Sequence, residues 1–369
     1  MNIALCLFKF FPYGGLQRDF LNIAKELVKR GHNVRVYTQS WEGEPCPSHI
    51  ELILTPTSSL TNHGKNIQYY EWVQKHLSSS PVDKVVGFNR MPNLDIYYGA
   101  DSCYAEKTQN KSIFYKLTTR YRQYIHFEKG TVGRGLNNKL LVLSEGQKKS
   151  YQNFYDTEDD RFILLPPGIQ KDRKYSNFPT DLREQTRKNL GLDDEDFLVI
   201  SIGSDFERKG VDRSIRAIAS LPSHLRGKVS FFVLGQDNSK KFIQLAQALG
   251  VGNLVHFVGG TNDVPHYIAA ADLFLHPARS ECAGIAILEA LVGGVPEIVT
   301  DVCGYAPYVS KAQSGKLLSS PFSQEQFNAV LLEALNPSSL RCWRQNACYF
   351  ADCEDLYSLH QKAADVIVG

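Results

Sequence analysis

Residues 3–37 read IALCLFKFFPYGGLQRDFLNIAKELVKRGHNVRVY, and this stretch decides the fold. Ile3 to Phe8 is a short apolar run that predicts a buried strand, and Leu16 to Arg30 has the apolar spacing of a helix ending at Gly31. Val34 to Tyr37 predicts a second strand. A strand, a helix and a second strand in this order form a βαβ unit, which builds parallel sheets.

The same alternation of apolar runs and helical segments continues along the chain. Val85 to Phe88 and Leu140 to Leu143 predict further strands of the first sheet. The second half predicts five strands, namely Phe197 to Ile202, Val229 to Leu234, Val255 to Val258, Leu273 to His276 and Glu297 to Thr300. Each half therefore predicts an α/β, Rossmann-like domain with a doubly wound parallel sheet.

A charged stretch between the halves predicts the domain boundary. Lys171 to Lys174 follow the apolar run that ends at Ile169, and they lack the periodicity of a strand or helix. We predict one domain at residues 1–168, a second at 169–348, and an amphipathic tail helix at 349–369 that could cross back to the first. Because doubly wound sheets bind ligands beyond the carboxyl ends of their strands, we expect the site in a cleft between two facing domains.

The composition is that of an ordinary globular protein, with 369 residues, 43% of them hydrophobic and 22% charged. The net charge of +2 is too small for the strong field of a nucleic-acid binder, so we expect no nucleic-acid partner. The eight cysteines contain no C-x-x-C pair, which indicates reduced thiols. The first residues indicate a strand instead of a signal peptide, and no apolar run is long enough to span a bilayer. We therefore expect a cytoplasmic protein.

Two glycine-containing loops follow predicted strands and could bind phosphate. Gly14 and Gly15 open the first helix, where backbone N–H groups can approach a phosphate or a sugar hydroxyl, although a tight turn without a ligand has the same pattern. Arg208 and Lys209 lie in a loop between Gly203 and Gly210. They could neutralise a departing diphosphate or form a solvated surface pair, and the position after a strand favours the first interpretation.

The segment Glu281-Cys-Ala-Gly-Ile-Ala-Ile-Leu-Glu289 is the strongest functional signal. Two carboxylates flank the start of an apolar helix, whose first backbone N–H groups have no helical partner and could hold a phosphate. One carboxylate could then accept hydrogen bonds from sugar hydroxyls and the other from a ribose. Glu289 could instead be a buried glutamate with structural partners. A carboxylate in an apolar helix is costly without partners, which favours a functional role.

The glycine pair, the S-D-F-x-R-K-G loop and E-x7-E, in this order, resemble the retaining glycosyltransferases of family 4, which have the GT-B architecture. More narrowly, F-P-x-G-G-L-Q-R-D, V-V-G-F-N-x-M-P, A-D-x-C-Y-A-E-K, L-P-P-G-I and G-V-D-R-S-I resemble the lipopolysaccharide core glucosyltransferase I of enteric bacteria. This resemblance covers nearly the whole chain. It implies transfer of glucose from UDP-glucose, with retention, to an inner-core heptose of lipopolysaccharide. It also implies an N-terminal acceptor domain and a C-terminal donor domain. A family 4 enzyme with another nucleotide sugar or acceptor is the alternative.

The resemblance also implies roles for individual residues. The residues expected to contact the donor are Gly15, Asp19, Arg173, Arg208, Lys209, Glu281, Ala283, Gly284, Ile285 and Glu289. Among these, Glu281 would hold the glucose hydroxyls and Glu289 the ribose, and Glu281, Asp19 and Asp101 are the candidate catalytic residues. Asp101 stands where many relatives carry a histidine near the anomeric carbon. A carboxylate cannot replace a neutral imidazole, so its role is left open.

A metal is not expected. Asp194-Glu-Asp196 has the D-x-D pattern of metal-dependent transferases, but it lies in an acidic turn before a predicted strand instead of after one. Arg208, Lys209 and a helix dipole could supply the positive charge that a metal would bring. We therefore expect UDP-glucose as the donor substrate and no metal or other cofactor.

The segment from Tyr104 to Lys129, called the basic aromatic segment below, holds six Lys or Arg and two Glu, interleaved with six aromatic rings. Such a mixture favours an anionic bilayer surface. Because the acceptor implied by the resemblance lies in a membrane, we predict contact with the inner membrane on its cytoplasmic face through Lys116, Arg120 and Arg122. The alternative is a basic helix that packs its rings inward.

Two other classes of protein fit the sequence less well. A nicotinamide-dependent oxidoreductase also uses Rossmann domains, but it should show G-x-G-x-x-G after a strand, and neither half has it. A non-catalytic membrane scaffold would account for the basic aromatic segment but not for Glu281 and Glu289.

Overall fold

The computed structural model describes residues 1–12 and 14–369, which form two compact units. The first unit contains Met1–Gly168 and Ser358–Gly369, and the second contains Ile169–Tyr357. Residue 349, where the sequence places the start of the tail, lies inside the helix Pro337–Cys353. The segment grouped with the first unit begins instead at Ser358.

The first unit is built on a parallel sheet of seven strands in the order β5-β3-β1-β6-β7-β8-β9. Its strands, in chain order, are β1 (Asn2–Cys6), β2 (Lys9–Phe10), β3 (Asn33–Thr38), β4 (Ser40–Trp41), β5 (Ile50–Leu54), β6 (Lys84–Gly87), β7 (Ile96–Gly99), β8 (Lys139–Val142) and β9 (Phe162–Leu164). Strands β2 and β4 pair with each other in a separate small sheet.

The second unit has a parallel sheet of six strands in the order β12-β11-β10-β13-β14-β15. These strands are β10 (Phe197–Ile202), β11 (Val229–Leu234), β12 (Val255–Gly259), β13 (Leu273–His276), β14 (Glu297–Thr300) and β15 (Gly315–Leu318). The two Rossmann-like parallel sheets that the sequence predicts are confirmed. The order of the strands reverses at one central strand in each sheet, β1 in the first and β10 in the second. Doubly wound sheets bind ligands at the carboxyl ends of the strands beside such a reversal.

Helices connect the strands of both sheets. Those of the first unit are α1 (Gly15–Lys29), α2 (Asn62–Ser79), α3 (Tyr104–Thr108), α4 (Ile113–Lys116), α5 (Thr119–Val132), α6 (Glu145–Tyr155) and, from the end of the chain, α16 (Leu359–Val368). Those of the second unit are α7 (Leu182–Asn189), α8 (Val211–Ala219), α9 (Ser223–Arg226), α10 (Lys240–Ala248), α11 (Val264–Ala270), α12 (Ile285–Val292), α13 (Ala306–Ala312), α14 (Gln324–Ala334) and α15 (Pro337–Cys353). Among the described residues, no helix is long and apolar enough to cross a membrane.

The first βαβ unit shows why these residues form these elements. Strand β1 is fully buried from Ile3 onward, as a central strand covered on both faces must be. Helix α1 buries Phe20, Ile23 and Leu27, which share one face at helical spacing. The helix ends before Gly31, whose φ of 83° lies in the left-handed region that suits glycine. The chain then turns directly into β3, and helix α1 follows the carboxyl end of β1.

Candidate active site

The loop between β10 and α8 holds two cations at the carboxyl edge of the second sheet. Gly210, the residue before α8, has a φ of 75°, and a Cβ at this position would lie 2.1 Å from the Pro277 carbonyl oxygen. Only glycine fits such a close approach. The loop is therefore packed against the chain that follows β13, and this packing fixes the backbone of Arg208 and Lys209.

Arg208, Lys209 and Glu281 form one ion cluster, although they lie in two separate sequence motifs. Nη1 of Arg208 lies 2.9 Å from Oε2 of Glu281, and Nζ of Lys209 bonds to the same oxygen. Nε of Arg208 also donates to Asp205 at 2.9 Å. The Glu281 side chain is 13% exposed and that of Lys209 is 10% exposed, so these two charges face each other with little water between them.

The protonation states in this cluster follow from burial and from the neighbouring charges. Burial alone would raise the pKa of Glu281, but His276, Lys209 and Arg208 together hold that pKa well below its usual range. His276 is fully buried at the end of β13, and burial lowers its pKa to about 4. Its Nε2 lies 3.7 Å from Oε2 of Glu281, which is too long for a hydrogen bond. At neutral pH a neutral imidazole therefore lies beside an ionised glutamate.

His276 was not among the residues that the sequence indicated. Its only sequence signal is a histidine at the carboxyl end of an otherwise apolar predicted strand, where side chains of a doubly wound sheet reach the ligand edge.

Helix α12 begins at Ile285, four residues after Glu281, and presents its amino end at the same edge. Gly284 precedes the helix in the left-handed conformation, with a φ of 93°. The carbonyl oxygens of Glu281 and Ala283 accept from the backbone N–H groups of Gly304 and Tyr305, at 3.3 and 2.8 Å. Within the described chain, the N–H groups of residues 283–285 donate no backbone hydrogen bond, so they can receive an anion. Glu289 lies one turn into the helix and is 9% exposed.

Among the described residues, neither Arg173 nor the acidic turn before β10 bonds to this cluster. Arg173 lies in the short 3₁₀ turn Lys171–Arg173, and its ion partner is Asp172, at 3.9 Å. Asp194 and Asp196 precede β10, at the opposite end of the strand from Arg208. The carboxylate of Asp196 accepts from the backbone N–H of Asp193 at 2.9 Å. In the described part of the chain, no three side chains are grouped as metal ligands.

In the first unit, Asp19 is buried in α1 and has two side-chain partners. One of its carboxylate oxygens accepts from the Tyr98 hydroxyl at 2.7 Å, and the other lies 3.0 Å from Nε2 of His360. Gly15 is the first residue of the same helix, and a Cβ there would meet no described atom within 4 Å, so its surroundings are open. No sequence signal could have linked His360 to Asp19, because 341 positions separate them.

Asp101 follows β7, and its backbone is held firmly while its side chain is exposed. Its carbonyl oxygen accepts from Nη2 of Arg90 at 3.1 Å, from Nε2 of Gln147 at 2.9 Å and from the Tyr151 hydroxyl at 3.3 Å. Arg90 in turn lies 3.2 Å from the carboxylate of Glu128, which is fully buried. Three donors on one carbonyl fix the position from which the Asp101 carboxylate projects.

The basic aromatic segment forms the short helices α3 and α4 and most of α5, and the structure divides its rings. Phe127 is buried, and the four tyrosines at positions 104, 115, 121 and 124 pack against one another. Phe114 is 80% exposed and lies beside Ile113 and Leu117, which are 65% and 55% exposed. Most of the rings therefore join helices α3, α4 and α5 to one another, and Phe114 remains exposed.

Similarity to known proteins identifies the family. The lipopolysaccharide glucosyltransferase WaaG of Escherichia coli K12 is 54% identical over 371 residues, which cover 100% of this chain and 99% of that protein. The chain belongs to the WaaG family of group 1 glycosyltransferases. The model of the family "Glycosyl transferases group 1" matches residues 183–347, which contain the Arg208–Glu281 cluster and Glu289.

Solved structures agree with this family. The crystal structure of WaaG, described as a glycosyltransferase involved in lipopolysaccharide biosynthesis, has a TM-score of 0.94 and 54% identity, and it covers 100% of both chains. The Anabaena protein Alr3699/HepE, solved with UDP-glucose, has a TM-score of 0.74 and 19% identity over 100% of this chain and 99% of its own, so it shares the fold. The GT-B fold and the resemblance to lipopolysaccharide core glucosyltransferases, both predicted from the sequence, are confirmed.

Proposed function

We propose that this enzyme transfers glucose from UDP-glucose to an inner-core heptose of lipopolysaccharide, with retention of the anomeric configuration. Membership of the WaaG family supports lipopolysaccharide core glycosyl transfer, and the glucosyltransferase activity named for the Escherichia coli relative supports glucose. UDP, the heptose and retention come from the resemblance of the sequence motifs. A family 4 transferase that uses another nucleotide sugar or acceptor is the alternative.

The observation that carries this proposal is the cluster of Arg208, Lys209 and Glu281 beside the amino end of α12. A departing UDP carries its negative charge on the diphosphate, and two cations together with free N–H groups of a helix start can stabilise that charge without a metal. Binding of the diphosphate would displace Glu281 from both cations. The released carboxylate could then accept hydrogen bonds from the glucose hydroxyls, and Glu289, further along α12, could accept from the ribose.

The chemical step needs mainly positioning and charge stabilisation. In a retaining transfer of this kind, the leaving phosphate and the incoming hydroxyl stay on the same face of the sugar, so the phosphate itself can accept the proton of that hydroxyl. Arg208 and Lys209 would stabilise the leaving group, and Asp19 and Asp101 of the first unit would contact the donor sugar and the anomeric region. Arg173 and Gly15, with the backbone of Ala283 and Ile285, complete the proposed donor contacts.

The donor proposal is tested by titrating UDP-glucose, UDP-galactose, UDP and GDP-mannose into the purified enzyme by calorimetry. We expect UDP and both UDP-sugars to bind, and UDP-glucose to be the donor that is turned over with a lipopolysaccharide acceptor. Glu289→Ala should weaken binding of UDP itself, because the proposed partner of the ribose is lost. Tighter binding of GDP-mannose than of UDP-glucose would overturn the proposed nucleotide.

We also propose that the basic aromatic segment contacts the anionic surface of the inner membrane from the cytoplasmic side. Ile113, Phe114 and Leu117 form an exposed apolar group on and directly after α4, and basic side chains flank it at positions 116, 120 and 122. Each cation near an anionic surface contributes about 1 kcal/mol, and the apolar group could insert at the headgroup level.

Charge reversal tests the membrane proposal. Changing Lys116, Arg120 and Arg122 together to Glu should strongly weaken binding to vesicles that contain anionic lipid, and wild-type binding should weaken as salt rises. UDP-glucose affinity should stay within about twofold. The matched control reverses three exposed lysines elsewhere, at positions 25, 188 and 362. If both triple variants bound the vesicles equally, the segment would be an ordinary structural element.

A further inference from the structure

A small polar cavity of about 230 Å³ opens in the first unit, outside the set of proposed donor contacts. Its lining residues are Phe8, Lys9, Gln17, Asn62, Asn66 and Asn89. Phe8 and Lys9 follow β1, and Asn89 follows β6, the neighbour of β1 on the side where the strand order reverses. The cavity therefore lies at the topological switch point of the first sheet, where doubly wound sheets bind ligands.

Four of the six lining side chains are carboxamides, and three of them are held in place by hydrogen bonds. Nε2 of Gln17 donates to the Lys9 carbonyl at 3.0 Å, and the side-chain oxygen of Asn89 accepts from the Phe8 backbone N–H at 2.7 Å. The side-chain oxygen of Asn66 accepts from Nε2 of Gln39 at 3.0 Å. Gln17 and Asn66 are buried. These bonds orient the amides before any ligand arrives.

The same bonds leave hydrogen-bonding capacity unused. The structural bonds of Asn66 and Asn89 occupy only the oxygens, and within the described chain their Nδ2 groups have no hydrogen-bond partner. These two Nδ2 groups can therefore donate hydrogen bonds to a polar ligand in the cavity.

The lining chemistry limits the class of ligand. Among the described residues no carboxylate lines the cavity, which argues against a cation, and Lys9 is the only charged side chain there. Carboxamides both donate and accept, as hydroxyl groups do, and the half-buried Phe8 ring offers an apolar surface for the C–H face of a sugar. The volume corresponds to about eight water molecules, which is enough for one monosaccharide ring.

We propose that this amide-lined cavity binds one sugar ring of the acceptor, and that Lys9 binds a phosphate group carried by that sugar or by its neighbour. This inference rests on the proposed function, since the ligand is taken to be the acceptor of the transfer. Lys9 is exposed at the rim and forms no ion pair with a described carboxylate, so its ammonium group can pair with an incoming phosphate.

Asn66→Asp and Asn89→Asp test the carboxamides. Each variant keeps the oxygen that makes the structural bond, replaces the Nδ2 donor with a second acceptor oxygen and adds a negative charge. We expect each to raise the KM for a lipopolysaccharide inner-core acceptor at least tenfold, with the KM for UDP-glucose within twofold of wild type. The matched control is Asn153→Asp, which makes the same change at an exposed position of α6. Thermal unfolding of all three variants checks that they fold.

Lys9→Ala tests the phosphate contact at an exposed side chain that the fold does not need. We expect the variant to raise the KM for the phosphorylated acceptor, and to leave the KM unchanged for an acceptor whose core phosphates have been removed. An equal effect on both acceptors would overturn the phosphate contact.

The outcomes separate this inference from the proposed function. If the wild-type enzyme transfers no glucose to lipopolysaccharide, the proposed function fails. If the wild type is active and both Asp variants keep the acceptor KM of Asn153→Asp, the cavity does not bind the acceptor. An increase in the KM for UDP-glucose alone would assign the cavity to the donor and would also overturn the inference.

Discussion

Replacing Glu281 with glutamine keeps the shape of the side chain and removes the negative charge that Arg208 and Lys209 share. Removing one partner of a buried ion pair costs about 3–5 kcal/mol. Lys209 is 10% exposed and falls in this class, but Arg208 is 32% exposed and also pairs with Asp205, so it adds little. We therefore expect Glu281→Gln to lower the free energy of unfolding of the second unit by about 3 kcal/mol, which corresponds to a fall in Tm of about 6–12 °C.

The same substitution should separate nucleotide binding from transfer. Without the Glu281 carboxylate, Arg208 and Lys209 are available to a diphosphate, so UDP should bind at least as tightly as it does to the wild type. Added UDP should raise the Tm of the variant more than that of the wild type, because it replaces the lost negative charge. Transfer from UDP-glucose should fall at least 100-fold, because the glucose hydroxyls lose their proposed acceptor. Scanning calorimetry with and without UDP, together with a transfer assay, measures all three effects.

Glu207→Gln is the matched control, because it makes the same chemical change at a carboxylate that is 64% exposed and paired with Lys241. Exposed pairs contribute about 0–1 kcal/mol, so its Tm and transfer rate should stay near wild type. Equal Tm values for the two variants, or weakened UDP binding together with normal transfer in Glu281→Gln, would refute the proposed role of the cluster.

Three further predictions concern the metal, the loop and the pH. Transfer should survive exhaustive chelation, since Arg208 and Lys209 supply the positive charge; loss in EDTA restored by Mg²⁺ or Mn²⁺ would show that a metal is needed. Gly210→Ala should lower Tm and the transfer rate more than Gly191→Ala. Both glycines have a left-handed φ, but only at Gly210 would the new Cβ clash with a backbone atom. Equal losses in the two variants would contradict this packing. Burial lowers the pKa of His276 to about 4, so between about pH 6.5 and 4 the unfolded chain should bind more protons than the folded one. The free energy of unfolding, measured in urea, should therefore fall as the pH falls through this range. In His276→Gln this free energy should depend less steeply on pH.

The strands that the sequence predicts correctly are those with continuous apolar runs. Strands β10, β11, β13 and β14 lie at the predicted residues, because each is a mostly apolar segment covered on both faces of the second sheet. The missed strands β5, β9 and β15 lie at sheet edges, where one side lacks a neighbouring strand. β5 and β15 also contain Glu51 or Lys316, which interrupt the apolar pattern. Strand β7 was also missed, although it is a central and fully buried strand of the first sheet.

The candidate site was predictable only where its residues lie in local motifs. Glu281 and Arg208 follow strands in recognisable loops, so the sequence indicated both. It did not indicate that they bond to each other, because 73 positions separate them and only the neighbouring positions of β10 and β13 in the sheet bring them together. The partners of Asp19 and the donors around the Asp101 carbonyl are likewise set by topology, and no local pattern encodes them.

One measurement tests the proposed activity most directly. The purified enzyme is incubated with UDP-glucose, labelled with ¹³C at the anomeric carbon, and with lipopolysaccharide whose core ends at the inner-core heptoses, and the product is analysed by NMR. We predict that one glucose is joined to a heptose with the same anomeric configuration as in the donor. Glucose joined with the opposite configuration would contradict the retaining mechanism, and no transfer to this acceptor, with transfer to another, would contradict the proposed function.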